Sequence, residues 1–165
     1  MAGEYPAVSF GDPASLDAAR LRLRRHLEVD LELFVDLTQA GELPPYDILL
    51  AEEAAALDRR GRHVRYAIRD NDAPAAELMV AVLDEIDRGL AESRKVYVHC
   101  RAGVGRTGTA VGCWLVRHGA TGEEALAAVS RLYHEGMSVD KRIFNSESPE
   151  CESQRQMVLG WEERP

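Results

Sequence analysis

The sequence predicts an α/β fold: a single domain over residues 1–165, with a small central, mostly parallel sheet flanked by helices on both faces. Short apolar runs of strand length alternate with longer segments of helical period, the pattern of strand–helix–strand units. A chain of 165 residues suits one domain with a sizeable core, and no Gly/Ser-rich linker, internal repeat or low-complexity segment divides it. Apolar residues make up 45% and charged residues 29%, the balance of a soluble globular chain rather than a disordered one.

Asp12-Pro13 reads as a helix start with proline at the first helical position, and Leu16, Ala19, Leu23 and Leu27 follow at helical spacing. Leu33-Phe-Val-Asp-Leu37 is a short apolar strand. Pro44 and Pro45 open a second helix that runs through Ala54–Leu57 to about Arg60. His63–Ile68 reads as a strand, and Arg69–Ala73 as a polar loop. Pro74 starts a third helix, with Leu78, Val82, Ile86 and Leu90 in one i+4 row beside Met79 and Leu83. Lys95–Val98 is a third strand. Thr107–Arg117 is apolar nearly all round, which predicts a buried helix. Gly119 ends it, and Thr121 with Glu124 makes a capping box for the next helix. Pro149 opens a last helix carrying Met157, Val158 and Trp161.

Composition excludes several classes. No run approaches the length of a membrane span. The opening Met1–Pro6 lacks a basic region followed by an apolar stretch, so no signal peptide is expected and the cytoplasm is the expected compartment. Three cysteines without paired spacing (Cys100, Cys113, Cys151) argue against a disulfide framework. Five scattered histidines and no Cys-x-x-Cys predict no metal site and no cofactor. A net charge of −8 speaks against nucleic acid as a partner. The basic run Arg20–Arg25 reads as a solvated helix face with its leucines turned inward.

Chemistry concentrates in residues 96–109, Val-Tyr-Val-His-Cys-Arg-Ala-Gly-Val-Gly-Arg-Thr-Gly-Thr, where a buried strand enters a tight loop and then a buried helix. Backbone N–H groups of a glycine-containing loop at a helix N-terminus cradle anions. A cysteine at the floor of that cradle has its thiolate stabilised by the same groups. An arginine closing the loop offers a planar fork that matches two phosphate oxygens. A thiolate beneath a bound tetrahedral anion is suited to in-line attack on phosphorus. Gly103-x-Gly105-x-x-Gly108 also fits a dinucleotide fingerprint. However, Cys100, Arg101 and Ala102 separate it from the strand, and the acidic residues some twenty positions on, Glu123 and Glu124, begin a helix instead of ending a strand. No Gly-Lys-Ser/Thr of a Walker A loop exists.

His99-Cys100-x5-Arg106-Thr107-Gly108 resembles the His-Cys-x5-Arg-Ser/Thr-Gly signature of the protein tyrosine phosphatase superfamily, in a form nearest its dual-specificity and related branches. The flanks Phe34–Thr38, Gly41–Tyr46 and Ser148–Arg155 with Trp161, and the opening Ala2–Pro6, resemble bacterial dual-specificity-like phosphatases, so the likeness covers nearly the whole chain. The resemblance implies Cys100 as a nucleophile that becomes phosphocysteine. It implies phosphoryl binding by the backbone of Arg101, Ala102, Gly103, Val104, Gly105 and Arg106, with Arg106 also stabilising the transition state. Thr107 would donate to the departing thiolate, and His99 would orient the loop and support a low cysteine pKa.

The general acid of such enzymes is an aspartate on an upstream loop. Tyr66–Pro74 resembles that loop, with Asp70 at the matching position and Asp72 as the alternative. Glu150 and Gln154 stand roughly where tyrosine-specific relatives carry two glutamines, the loop that positions the hydrolytic water, and Cys151 stands where threonine is expected. Cys151 is the candidate redox partner of Cys100. Cys113, Trp114 and Trp161 read as core, and Tyr46 as packing or as an entrance residue. The implied activity is a phosphomonoester hydrolase with no cofactor, acting on a phosphorylated protein or peptide, phosphotyrosine foremost, with phosphoserine and phosphothreonine left open. The alternatives are a phosphatase of phosphoinositides or other small phosphate esters, and a phospho-ligand-binding pseudophosphatase. Lipid-directed relatives carry two basic residues in the loop, whereas here Arg101 supplies one and Val104 replaces the other. Oligomeric state is left open.

Overall fold

The computed structural model describes residues 1–7, 15–136 and 147–162. Among these, strands β1 (Ala2–Gly3), β2 (Leu31–Asp36), β3 (Arg62–Arg65) and β4 (Lys95–His99) form one sheet in the order β1-β4-β2-β3. Every pairing is parallel. The helices are α1 (Leu16–Glu28), α2 (Asp47–Ala56), α3 (Ala76–Ala91), α4 (Gly105–Arg117), α5 (Gly122–Gly136) and α6 (Glu152–Leu159). None is long and apolar enough to cross a membrane.

The pleat sorts side chains into two cores. Leu33 and Val35 of β2 and Val96 and Val98 of β4 face the cluster shared with α3, α4, α5 and α6. Phe34 and Tyr97, one residue out of phase, face the cluster shared with α1 and α2. Leu31 joins that second cluster although it has the parity of Leu33, because the β2–β4 register shifts between the two. The expected sheet with helices on both faces is therefore present.

Several boundaries differ from the sequence reading. The start at Asp12-Pro13 lies outside the described residues, and the described helix begins at Leu16 behind Ser15, whose Oγ accepts from the Ala18 N–H at 3.1 Å. Leu16 is exposed, not inward. The basic run is only half as expected: Leu23 is buried, but Leu21 is exposed. Arg20 and Arg24 reach across to Glu53 on α2, and Arg20 also to Glu52. α2 begins after Tyr46 instead of at Pro44-Pro45, since Pro44 spends its carbonyl on the Tyr5 hydroxyl at 2.7 Å. β3 stops at Arg65, although Tyr66 and Ile68 still donate to Asp36 O and Leu37 O. The buried row on α3 ends before Leu90, which is exposed.

α4 is buried through its first two turns but only half-buried from Trp114 to Arg117. Trp114 thus packs on the edge of the core, only partly buried: it stacks on His118 with centroids 4.1 Å apart and donates Nε1–H to Asp87 at 2.8 Å. The Thr121–Glu124 capping box forms in both directions. α6 starts at Glu152 and not Pro149, and the buried Trp161 lies beyond its end. β1 had no counterpart in the sequence reading, because two residues carry no measurable period.

Candidate active site

The carboxyl ends of β2, β3 and β4 open on one edge of the sheet, and the loops that follow them supply the site, as expected for a parallel α/β sheet. After β4 the chain turns through Cys100–Val104 into α4, whose N-terminus no side chain caps. The loop is thereby backed by a helix of 13 residues with its positive end toward Cys100. Gly103 makes the turn possible: its φ is +76°, and a Cβ there would lie 2.5 Å from the carbonyl carbon of Gly3. β1 and the residues after it brace the loop from outside, with the Tyr5 N–H donating to Arg101 O at 3.0 Å. From the other side, Ser148 Oγ donates to Val104 O at 2.7 Å.

Cys100 is buried at 3% exposure and Arg106 at 1%, so the loop carries its sulfur and its cation inward together. Arg106 is held in a fixed plane. Nη1 donates to Glu42 Oε2 at 2.7 Å and to Ile68 O at 3.1 Å, and Nη2 donates to Glu42 Oε1 at 2.7 Å. Asp70 Oδ1 lies 2.9 Å from the same Nη2. Burial opposes the Arg106 charge, while Glu42, Cys100 and Asp70 sustain it, with a net upward pull on its pKa. The Arg106 hydrogen bonds in turn draw the Glu42 carboxyl below its usual range, against its own burial. Among the described residues, Arg106 Nε and Thr107 Oγ1 are buried polar atoms without a hydrogen-bond partner. A buried donor left unsatisfied is costly, and both lie next to the sulfur-bearing loop, where an oxyanion would satisfy the guanidinium.

His99 is fully buried, and burial drives its pKa down to about 4 against the pull of Asp36. The ring is therefore neutral. Its Nδ1 lies 3.2 Å from the Cys100 carbonyl, which can only accept, so Nδ1 carries the hydrogen. Nε2 is then the acceptor for the Tyr46 hydroxyl at 2.6 Å. His99 thus meets the loop as a neutral ring that donates to the Cys100 carbonyl. Tyr46 is no entrance residue: it is buried between Tyr5, Phe34 and His63, and burial together with Asp36 raises its pKa. Asp36, fully buried at the end of β2, accepts from Thr38, His63 and Arg65. Burial opposes its charge, yet His63, His99 and Thr38 outweigh that and hold the carboxyl well below the carboxylate range.

The two aspartates of the β3–α3 loop part company. Asp70 reaches Arg106, whereas Asp72 Oδ1 accepts from the next N–H in its own loop, that of Ala73, at 2.9 Å. Glu150 and Gln154 both come to the loop: a Cβ on Gly105 would lie 2.9 Å from the Gln154 amide and 3.2 Å from Glu150 Oε2. Desolvation and then Asp70 raise the Glu150 pKa, with Arg106 opposing. Cys113 is buried, and desolvation pushes its thiol up to about 12, which suits an inert core residue. Glu42 is the functional residue the sequence reading missed. Its only signal was its place in the Gly41–Tyr46 segment.

A family model described as "Polymorphic toxin system, DSP-PTPase phosphatase" matches residues 10–120. Over 150 residues the chain is 27% identical to the Arabidopsis thaliana phosphatidylinositol 3,4,5-trisphosphate 3-phosphatase and protein-tyrosine-phosphatase PTEN1, covering 89% of this chain and 34% of that protein. It is 35% identical over 65 residues to the tyrosine-protein phosphatase cdc-14 of Caenorhabditis elegans, covering 39% of this chain and 9% of the relative. The chain thus spans about a third or less of the length of these curated relatives. Among solved structures, Tk-PTP in the active form is 26% identical with a TM-score of 0.63, covering 85% of this chain and 82% of that one. Kinase associated phosphatase shares the fold at 17% identity and a TM-score of 0.67, covering 95% and 82%. PTPMT1 in complex with PI(5)P does so at 18% and 0.63, covering 83% and 80%.

Proposed function

Because the chain belongs to the DSP-PTPase phosphatase family of polymorphic toxin systems, we propose that it hydrolyses phosphoprotein monoesters through a phosphocysteine at Cys100. The observation that carries this reading is the buried Arg106 on the Cys100 loop, locked by Glu42 with Nε unpartnered and with Asp70 2.9 Å from its Nη2. The Cys100 thiolate attacks phosphorus, the bond to the leaving oxygen breaks, and Asp70 gives that oxygen its proton. Arg106 and the backbone N–H groups of residues 101–106 hold the phosphoryl oxygens as charge redistributes. Water then attacks the phosphocysteine, the Asp70 carboxylate takes its proton, and the Cys100 thiolate departs toward the Thr107 hydroxyl.

Phosphoinositide hydrolysis is the second reading, favoured by the likeness to the plant PTEN1. Against it, Val104 is buried at 3% exposure where a second basic residue would face the headgroup. A panel of phosphotyrosine, phosphoserine and phosphothreonine peptides beside phosphoinositides, assayed with chelator present, tests both. Hydrolysis of phosphotyrosine peptides that disappears in Cys100→Ser supports the proposal. Turnover confined to phosphoinositides transfers it to the second reading, and activity that survives Cys100→Ser overturns the mechanism.

A further inference from the structure

The β3–α3 loop is tied to α6 at two consecutive carbonyls. Gln154, fully buried in the first turn of α6, donates Nε2–H to Asp72 O at 3.2 Å. Cys151 Sγ lies 3.5 Å from Asn71 O as a weak donor. Gln154 Oε1 accepts the N–H groups of Glu150 at 3.2 Å and Cys151 at 3.3 Å. These partners fix the amide orientation, since the flipped amide would set an oxygen against the Asp72 carbonyl. The same amide also stands against Gly105 at the start of α4. One buried side chain therefore touches both halves of the site.

Besides Gln154, the loop is held by Arg106 at Ile68 O and Asp70 and weakly by Cys151 at Asn71 O. Ile68 anchors the entry at 1% exposure, but Arg69, Asp70 and Asn71 are exposed. A segment with so few buried contacts opens readily unless something ties it down. From this geometry we propose that Gln154 is a positioning residue for the general acid. Its bond to Asp72 O holds the loop against α6 and so keeps Asp70 beside Arg106. The inference rests on Asp70 being the acid.

The test uses aryl phosphates of graded leaving-group acidity, from phenyl to dinitrophenyl phosphate, with Gln154→Met and Gln154→Glu. The first removes the donor at similar length. The second keeps volume and acceptor, so the test survives if the methionine variant unfolds. A misplaced acid lowers kcat for phenyl phosphate by about tenfold and for dinitrophenyl phosphate by less than about threefold, since only the poorer leaving group needs the proton. Tungstate affinity, measured in the Cys100→Ser background, stays within about twofold, and the variants add nothing to Asp70→Asn. Equal losses across the series, weakened tungstate binding, or additivity with Asp70→Asn would show that Gln154 merely supports the Cys100–Arg106 loop, and would overturn the proposal. If Asp70→Asn itself leaves the leaving-group dependence unchanged, the assignment of the acid has failed instead.

Discussion

Asp70 and Glu42 share one nitrogen of Arg106: Nη2 donates to Glu42 Oε1 at 2.7 Å and stands 2.9 Å from Asp70 Oδ1. That nitrogen has two hydrogens, and a phosphoryl group gripped through Nε and Nη2 needs one of them. Glu42 is held twice and Asp70 once, so an arriving dianion competes with Asp70 for that nitrogen while Glu42 keeps its hold. Asp70→Asn in the Cys100→Ser background should therefore bind tungstate at least as tightly as Cys100→Ser alone in calorimetric titration, because a neutral amide competes less for the guanidinium and does not repel the anion. Clearly weaker binding by the double variant would show that Asp70 and the anion do not compete for Arg106.

Arg106→Lys keeps the charge and loses the fork. One ammonium cannot serve both oxygens of Glu42, Ile68 O and a phosphoryl group at once. With at least one charge-assisted hydrogen bond to the anion lost, tungstate affinity should drop about tenfold or more, and kcat/KM further still. Kinetics within about threefold of the parent would mean that the clamp is elsewhere.

His99 makes stability depend on pH. Burial holds its pKa at about 4 against an ordinary 6.5, so between those values the unfolded chain binds a proton that the folded chain refuses. Its contribution is complete above pH 6.5 and is lost as pH falls toward 4. At pH 5 the loss is about 2 kcal/mol. Asp36 adds its own loss only at lower pH, as its depressed carboxyl is finally protonated. Urea unfolding of wild type and His99→Asn at pH 7 and pH 5 reads this directly. The wild-type difference should exceed that of the variant by about 2 kcal/mol, and equal differences would place the titration elsewhere.

Residues that sit in one contiguous segment were legible from sequence. Cys100, Arg101–Gly105, Arg106 and Thr107 follow one another, and the strand, turn and helix around them carry their own periods and glycines. Glu42, Tyr46 and Gln154 were less so, because their roles arise from bonds spanning 64, 53 and 82 positions. Such pairings depend on the order β1-β4-β2-β3, which no local pattern encodes. The same limit explains Leu21 and Trp114: helical spacing puts leucine and tryptophan on a face but does not say what covers that face. Asp70 was singled out by its resemblance to the family loop, and the competing Asp72 was separated only by side-chain direction.

That separation yields the sharpest kinetic contrast. On the proposed mechanism Cys100 must be ionised and the loop acid protonated at the same time, so the rate should pass through a maximum at mildly acidic pH. The rising acidic limb belongs to the thiol and phosphate, and the falling alkaline limb to the acid. Asp70→Asn removes the proton donor, so it should flatten the alkaline limb and lower kcat by roughly a hundred- to ten-thousand-fold, most for poor leaving groups. Asp72→Asn loses little, because Asp72 Oδ1 serves only the Ala73 N–H and an asparagine oxygen accepts there as well. Its pH profile should keep both limbs, with kcat within about threefold of wild type. An alkaline limb that vanishes in Asp72→Asn and survives in Asp70→Asn would reverse the two roles. The bond from Asp70 to Arg106 would then mark a resting position of the loop and not the reacting one.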